Sequence, residues 1–442
     1  MTQRLLVKGA DIVTMDAALG DLPGGDILVE NGAIARIGAS LAADGAQVLD
    51  ASDMIALPGI IDAHNCLWQT ILRGYVPDLW QDTYFPRFLP LRRYFRPVDN
   101  FNAAYVGGFE MLSYGTTTVV DYCHCVLGPG YAEASLAGLA ETGIRRVFTY
   151  SFMSAQPDLF GALENRYADA RRIYHAFHDP DSLTTINFGV DSLGAPDLPR
   201  QLAFARDLAT PSCIHVNAAG VIAEMHRQGL LGRDLLVIHG NLLSNEELAL
   251  MKAAGMAICF TPSADVQGKP ADVVRRALDA GVEVVFGCDV PCHVASDPIM
   301  QLRIMFNVQG FLDGAMARSF NVIAGHRPKP RPGLPLLPRD LLAMATIGAA
   351  RVLGLDERIG SLTPGKRADI LLVRKGPFGG SVAGDPCAHV MLHTGAREID
   401  TVIVDGDIRL QGGALRGYDP ARAAAMISES RRHILDADRG AT

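Results

Sequence analysis

The sequence has little of what marks a membrane or secreted protein. No apolar run approaches the roughly 18 residues that a membrane-spanning helix needs, although 49% of the 442 residues are hydrophobic. The first residues, MTQRLLVKGADIV, contain neither a long apolar stretch nor a cleavage site, so they do not resemble a secretory signal. We therefore expect a globular protein of the cytoplasm that has no membrane partner.

An excess of positive charge is also absent. The chain has 40 Lys and Arg against 48 Asp and Glu, for a net charge of -8, and its basic residues are scattered. A chain with this balance has no electrostatic reason to bind nucleic acid. We expect a small-molecule substrate instead, and a homo-oligomer, a dimer, as the assembly.

The eight cysteines do not predict disulfides. In an unsecreted chain of this length, free thiols or metal ligands are the better interpretation. Most of them, Cys123, Cys213 and Cys259 among them, are expected to pack as small buried hydrophobic side chains.

The pattern of apolar and polar residues changes twice along the chain. Residues 1–57 and the stretch over 366–415 contain short runs of alternating apolar and polar residues, which are typical of strands separated by turns. Between them, eight apolar runs alternate with helical segments. These candidate strands cover 54–64, 116–124, 145–152, 184–192, 212–217, 235–240, 256–262 and 282–289.

Eight strand–helix repeats predict an α/β fold, a (β/α)8 barrel, and a doubly wound open sheet is the alternative. We predict that the barrel covers residues 58–365. The two flanking β segments, 1–57 and 366–415, would pair into one small β-sandwich domain. Residues 416–442 would form a C-terminal helix and tail.

Histidines stand at the ends of four candidate strands, and an aspartate ends the eighth. They are His64, His124, His215, His239 and Asp289. A lone histidine is usually a satisfied polar residue, but the C-terminal strand ends of such a barrel carry its active site. Four histidines that converge there with a carboxylate favour a metal site or an acid–base site.

Several motifs resemble those of the amidohydrolase superfamily, in particular its cytosine deaminase and chlorotriazine hydrolase branch. They are PGIIDAH, MLSYGTTTVVD, GLLGRDLLVIHGNLLSNEELALM, ALDAGVEVVFGCD and IGSLTPGKRADILLV. The resemblance covers nearly the whole chain. It implies a barrel enzyme that hydrolyses C–N bonds, with metal ligands at the strand ends. The positions that match the family pattern are His64, His215, His239 and Asp289.

The chain departs from that pattern at two positions. Members usually carry His-x-His on the first strand, and here the second histidine is Cys66. The deaminase-like branch has a glutamate three residues after the strand-five histidine, and here that position is Ala218. A thiolate is nevertheless a good zinc ligand.

These departures leave two readings of the site open. In one, a single Zn²⁺ per chain is held by His64, Cys66, His215 and Asp289. In the other, the site is metal-free, and Asp289 and the histidines transfer protons directly.

Without the glutamate, proton transfer would fall on other residues. We predict Asp289, His239 and His124 as the catalytic groups, and Asp265 is a further candidate. The residues predicted to contact the substrate are Gln69, which is implied by the resemblance, together with Trp68, Trp80 and Asp265. The aromatic residues after the first strand suggest a ring-bearing substrate larger than cytosine, although the two tryptophans could equally pack a lid helix.

Three hypotheses for the function remain at this point. The first is hydrolysis or deamination at a C–N bond of a ring-bearing small molecule. The second is a non-hydrolytic condensation that forms an amidine or imidazoline ring in specialised metabolism, in effect a cyclodehydratase. The third is a catalytically inactive binding protein.

Overall fold

Two β-sheets organise the chain. The computed structural model describes residues 4–77, 83–153, 158–190, 197–267, 270–314, 336–376, 382 and 384–441. The strands, numbered β1 to β17 in chain order, are Arg4–Ile12, Leu22–Glu30, Ala33–Gly38, Gln47–Asp50, Met54–Pro58, Ile60–Asn65, Thr116–Cys123, Arg145–Ser151, Thr184–Val190, Ser212–Val216, Leu235–His239, Ala257–Phe260, Glu283–Phe286, Ile370–Arg374, Ile399–Val404, Asp407–Gln411 and Ala414–Leu415.

Helices connect most of the barrel strands. The described α-helices are Pro97–Ser113, Tyr131–Thr142, Leu163–Phe177, Leu198–Asp207, Val221–Arg227, Asn245–Ala254, Pro262–Asp265, Val273–Asp279, Pro298–Leu312, Pro338–Met344, Ile347–Val352, Pro386–His393 and Pro420–Ala441. Three short turns follow β6: a 3₁₀ helix over Leu67–Leu72, a π-helical turn over Tyr84–Phe88 and a 3₁₀ helix over Leu89–Tyr94.

Local sequence explains where one of these helices begins and ends. Ser244 accepts a hydrogen bond from the Glu247 backbone N–H, and the Glu247 carboxylate accepts one from the Ser244 N–H. This reciprocal capping satisfies two donors that a helix start would otherwise leave unpaired. Gly255, at a φ of 71°, ends the helix in the left-handed conformation that glycine adopts readily.

The predicted (β/α)8 barrel is confirmed. Strands β6 to β13 pair in parallel and in sequence order, and β7 is buried along its whole length. The first and last strands meet through a bridge between Asn65 and Asp289, so the barrel is nearly closed. All eight C-terminal strand ends therefore lie at one edge.

The second sheet joins the two ends of the chain, as the fold prediction required. Its order is β17-β16-β15-β14-β5-β1-β2-β3, with β4 also paired to β1, and β5 lies antiparallel to β14. The single candidate strand over 54–64 is wrong in one respect. Met54–Pro58 belongs to this sheet and Ile60–Asn65 to the barrel, with Gly59 between them, where a Cβ would approach the Thr117 side chain to 2.1 Å.

A buried ion pair ties the second sheet to the barrel. Arg145, at the start of β8, donates to both carboxylate oxygens of Asp369 at 2.8 and 3.0 Å and to Asp405 at 3.1 Å. Arg145 is 4% exposed and Asp369 4%. The predicted domain boundaries, at 57/58, 365/366 and 415/416, stay predictions.

The C-terminal helix Pro420–Ala441 packs against the helix Pro97–Ser113 and the turns after β6. Ser430 accepts from the Asn102 amide at 2.9 Å, and the Arg431 Nε donates to the Ile71 carbonyl at 3.0 Å. In the part of the chain that the structure describes, neither this helix nor any other is long and apolar enough to cross a membrane.

Candidate active site

The first group of site residues lies at the seam of the barrel, where the end of β6 meets the residues that follow β13 through the bridge between Asn65 and Asp289. The backbone N–H of Asp289 donates to the His64 carbonyl at 3.0 Å, and the N–H of Cys66 donates to the Asp289 carbonyl at 2.8 Å. Gly287 permits this approach, because a Cβ there would lie 2.6 Å from the His64 carbonyl oxygen. The seam thus brings side chains from the first and eighth strand ends together.

Three side chains converge at this seam. His64 Nε2 lies 3.2 Å from Asp289 Oδ1. The Cys66 Sγ lies 3.8 Å from His64 Nε2 and 3.7 Å from Asp289 Oδ1. All three residues are buried, at 0%, 1% and 4% exposure, and among the described residues they form the one group of three or more potential ligand atoms within 4.8 Å of one another.

The spacing of these three atoms fits one zinc ion. Zinc bonds of about 2.0–2.1 Å to nitrogen or oxygen and about 2.3 Å to sulfur, at tetrahedral angles, put N and O ligands about 3.3 Å apart and S ligands about 3.5 Å from either. The separations across His64, Cys66 and Asp289 follow that order. The thiolate, imidazole and carboxylate donor set also suits zinc.

Electrostatics favour a cation at this point. Burial raises the pKa of the Asp289 carboxyl, but the hydrogen bond and charge of His64 outweigh it and lower that pKa to about 2, so Asp289 is ionised. Burial, and then the Asp289 charge, raise the pKa of the Cys66 thiol well above its usual value. A bound cation would offset both effects on Cys66, because a metal ion deprotonates a coordinating thiol.

The predicted fourth ligand, His215, lies beside this group rather than within it. Its ring centroid is 4.9 Å from that of His64 and 5.4 Å from that of His239. The Tyr122 ring packs against His215 at 4.7 Å and against His124 at 4.6 Å. The four predicted histidines therefore share one cluster, and coordination by His215 stays a prediction.

His124 is held by Trp68. The indole Nε1 of Trp68 donates to His124 Nδ1 at 3.3 Å, and Cys66 Sγ lies 3.6 Å from the same nitrogen. Burial, and then the charge of Arg92, lower the pKa of His124 well below its usual value. His124 is therefore neutral at pH 7, and Trp68 positions it.

His239 faces a second carboxylate. Its Nδ1 lies 3.0 Å from Asp265 Oδ1 and 3.1 Å from Thr261 Oγ1. The other oxygen of Asp265 accepts from the Thr261 hydroxyl at 3.0 Å and from its backbone N–H at 2.7 Å. His239 and Asp289 both adopt positive φ, 71° and 68°, a conformation that costs energy in residues other than glycine and is concentrated at functional sites.

The other residues predicted to contact the substrate lie in different surroundings. Gln69 is fully buried, donates to the Tyr84 hydroxyl at 3.0 Å and accepts from the Cys292 thiol at 2.9 Å. Trp68 is 2% exposed and packs on Phe88, with ring centroids 5.4 Å apart. Trp80 lies outside the described residues. Substrate contact by Gln69, Trp68 and Asp265 stays a prediction.

Ala218 follows the fifth barrel strand and is exposed. The position that carries a glutamate in the deaminase-like branch is therefore open to solvent.

The eight cysteines are all free and buried.

Sequence reasoning missed two residues of this site. Tyr122 lies on β7, two positions before His124, which directly follows the strand, so the period of two along the strand could have pointed to it. Gly189, beneath it, leaves room for the ring, since a Cβ there would lie 2.3 Å from Tyr122 Cζ. Thr261 gave no sequence signal, because its role depends on how the following turn folds.

Comparison with known proteins identifies the family of this chain. A model of the amidohydrolase family matches residues 55–409. The chain belongs to the amidohydrolase family. The resemblance of its motifs is thereby confirmed.

Relatives match the chain from end to end. A 5-methylthioadenosine/S-adenosylhomocysteine deaminase from Desulforudis audaxviator is 27% identical, over 98% of this chain and 99% of that protein. A 5'-deoxyadenosine deaminase from Methanosarcina mazei is 22% identical, over 98% of each.

Solved structures share the fold. An adenosine deaminase from Xanthomonas campestris with bound zinc has a TM-score of 0.81 at 20% identity, with 98% of each chain covered. The atrazine chlorohydrolase from Arthrobacter aurescens TC1, complexed with zinc, has a TM-score of 0.81 at 22% identity, with 96% of this chain and 99% of that chain covered.

Membership of the amidohydrolase family confirms the predicted enzyme class, a hydrolase that acts on C–N bonds. The three converging side chains of His64, Cys66 and Asp289 form a candidate metal site.

Proposed function

We propose that the chain is a zinc-dependent hydrolase that removes the exocyclic amino group from an adenosine-type nucleoside. The observation that carries the proposal is the buried triad of His64, Cys66 and Asp289, with separations of 3.2–3.8 Å that fit one zinc ion. The names of the relatives supply the substrate class to test first.

His64, Cys66 and Asp289 would hold the metal, with His215 as the fourth predicted ligand. Zinc supplies Lewis-acid chemistry at such a site and lowers the pKa of a bound water. Cys66 takes the place of a histidine, and its negative charge would reduce the net positive charge of the centre relative to an all-imidazole site. We expect weaker activation of water than in a His-x-His relative.

Proton transfer falls on His239. The attacking water must lose a proton, and the leaving nitrogen must gain one, for ammonia to depart. His239 is suited to that role, because its Nδ1 is engaged by Thr261 and Asp265 and its Nε2 remains on the opposite edge of the ring. The ionised Asp289 would stabilise the imidazolium that forms.

His124 and Trp68 would support binding rather than carry protons. The low pKa of His124 keeps it neutral, so it can hydrogen-bond a substrate without competing for the proton. The aromatic cluster that includes Trp68 and Phe88 gives that side of the site an apolar wall suited to a ring.

The decisive experiment supplies zinc-loaded protein with 5'-methylthioadenosine, S-adenosylhomocysteine and 5'-deoxyadenosine and measures ammonia release. We expect turnover of at least one of the three, and its loss in Asp289→Asn. Asp279→Asn, at an exposed surface carboxylate, is the matched control and should retain it. Ammonia release no faster than that of Asp289→Asn on all three compounds would refute the substrate class.

A second candidate rests on a single observation. Ala218 stands where the deaminase-like branch has its glutamate, and that position is open to solvent. A condensation that closes an amidine or imidazoline ring needs no such proton shuttle. Release of water instead of ammonia from an amino-carbonyl precursor would favour this function.

A further inference from the structure

We propose that Asp265 is a positioning residue that, directly and through Thr261, keeps the proton of His239 on Nδ1 and leaves Nε2 as the unprotonated nitrogen of the ring. The catalytic part of this inference rests on the proposed function. The tautomer of His239 does not, because it is a property of the protein without substrate.

The hydrogen-bond directions around Thr261 carry the first step. A hydroxyl has one proton to donate. The Thr261 hydroxyl lies 3.0 Å from Asp265 Oδ2 and 3.1 Å from His239 Nδ1. A carboxylate can only accept, so the hydroxyl proton goes to Asp265, and the hydroxyl oxygen faces His239 with a lone pair.

The position of the second carboxylate oxygen of Asp265 supports the same assignment of the proton. Oδ1 lies 3.0 Å from His239 Nδ1. Nδ1 therefore faces the lone pair of the Thr261 hydroxyl and, beside it, the negative charge of Asp265 Oδ1 in an ion-pair contact. The proton of a neutral imidazole then belongs on Nδ1, because a lone pair there would face that lone pair and that negative charge.

Burial makes this arrangement rigid. His239 is 6% exposed, and Thr261 and Asp265 are fully buried, so water cannot readily replace either partner. The Thr261 backbone N–H also donates to Asp265 Oδ2 at 2.7 Å, which fixes the carboxylate at the start of the short helix Pro262–Asp265. The positive φ of His239 aims its ring from the strand end toward this carboxylate.

The consequence is a fixed direction for proton transfer. With Nδ1 protonated, the lone pair of Nε2 accepts a proton, and the cation that forms is stabilised by Asp265. The proton leaves again from Nε2, so no other bond is made or broken at His239. In the opposite tautomer Nε2 carries the proton, so Nε2 could donate that proton but could not accept one.

A purely structural role for Asp265 makes a different prediction. If the carboxylate served only to cap the short helix Pro262–Asp265, its replacement would leave the tautomer of His239 unchanged. The two roles can therefore be separated by observing the imidazole itself.

The test is a two-bond ¹H–¹⁵N correlation spectrum of zinc-loaded protein labelled with ¹⁵N-histidine, with the His239 signals assigned from His239→Gln. We expect the wild-type protein to carry the proton on Nδ1. In Asp265→Asn, the amide nitrogen can donate to the Thr261 hydroxyl oxygen. The Thr261 hydroxyl is then free to donate its own proton to His239 Nδ1. The proton of the neutral imidazole should therefore move from Nδ1 to Nε2. Thr261→Val should keep the wild-type tautomer, because the negative charge of Asp265 Oδ1 remains 3.0 Å from Nδ1.

Turnover gives an independent readout. Residues that orient metal-ligating side chains typically contribute about 10- to 100-fold to activity, and we expect a loss of similar size in the kcat of Asp265→Asn, with KM nearly unchanged. Asp272→Asn, whose carboxylate pairs with Arg276, is the matched control and should keep both the tautomer and kcat.

Two results would overturn the inference. A wild-type proton on Nε2 would do so without any variant, so the proposal remains testable even if Asp265→Asn does not fold. A folded Asp265→Asn that keeps the Nδ1 proton would also do so. Since both measurements need no substrate, neither result depends on whether adenosine-type nucleosides are turned over.

Discussion

Cys66 and Asp289 are joined twice across the seam of the barrel, although 223 positions separate them in the sequence. The Cys66 backbone N–H donates to the Asp289 carbonyl at 2.8 Å, and the Cys66 Sγ lies 3.7 Å from Asp289 Oδ1. The same contact therefore closes the barrel and assembles the candidate metal site. Changes at these two residues need separate readouts for folding and for chemistry.

Removing the thiol should remove the metal. Cys66→Ala deletes one of three converging ligands, so zinc content should fall from near one per chain to a small fraction of that. The loss in affinity should exceed the roughly 10- to 100-fold that is typical when only a supporting residue is lost. Elemental analysis measures it. Cys387→Ala, at a buried thiol in the helix Pro386–His393, should keep its zinc. An active, zinc-free wild-type protein would instead support the metal-free reading.

Acid should release zinc from the wild-type protein. A coordinating thiol and imidazole must stay deprotonated, and burial without a cation raises the pKa of Cys66. Metal content measured after equilibration should therefore decline as the pH falls below neutrality. Cys66→His, which restores the His-x-His pattern, should retain zinc to a lower pH if its longer side chain is accommodated. Identical release curves for both proteins would argue against thiolate coordination.

The catalytic assignments predict large losses without unfolding. General acid–base groups contribute about 10²–10⁴ in rate, so Asp289→Asn and His239→Ala should each lose at least the lower figure. Circular dichroism and the thermal midpoint should show that the fold persists. If both variants turn over the true substrate at the wild-type rate, the reaction takes place elsewhere.

A carboxylate restored at position 218 distinguishes hydrolysis from condensation. Ala218 is exposed, so Ala218→Glu should change the free energy of unfolding by no more than about 0.5 kcal/mol. A hydrolase that lacks its proton shuttle should gain rate, by up to about 10²–10⁴. A condensing enzyme should be inhibited. Ala219→Glu, at the next exposed position, controls for added charge, and kcat on the same substrate is the measurement.

The buried carboxyl of Asp121 should make stability depend on pH. Burial raises its pKa to about 7, against the opposing hydrogen bond from the Leu67 N–H. The carboxyl of Asp121 therefore binds a proton more tightly in the folded protein than in the unfolded chain, where an aspartate has a pKa of about 3.9. Its contribution to stability is present below about pH 4 and is lost as the pH rises to about 7.

Asp121→Asn should accordingly be more stable than the wild type at pH 8, by on the order of 2–4 kcal/mol, and should lose that advantage at pH 4–5. Urea unfolding at both pH values and matched zinc content measures the difference. Asp279→Asn, at an exposed carboxylate, should follow the wild type at both. A pH-independent effect of Asp121→Asn would show that Asp121 is ionised throughout.

The sequence by itself determined the barrel and placed four histidines and an aspartate at the C-terminal edge of its strands. Alternation of apolar runs and helical segments is a local property, and parallel pairing of successive strands then brings every C-terminal strand end to one edge. For that reason His64, His124, His215, His239 and Asp289 could be grouped before any distance was known. The substitution at Cys66 was visible for the same reason.

Only the tertiary structure decided which atoms meet. The split of 54–64 into two strands depends on a close approach at Gly59 to a side chain of the next strand. The pairing of His239 with Asp265 depends on a positive φ and on the turn after β12. Distances of 3–4 Å between side chains far apart in sequence follow from the closing register of the barrel and from packing around Tyr122 and Gly189, and no local pattern along the chain records them.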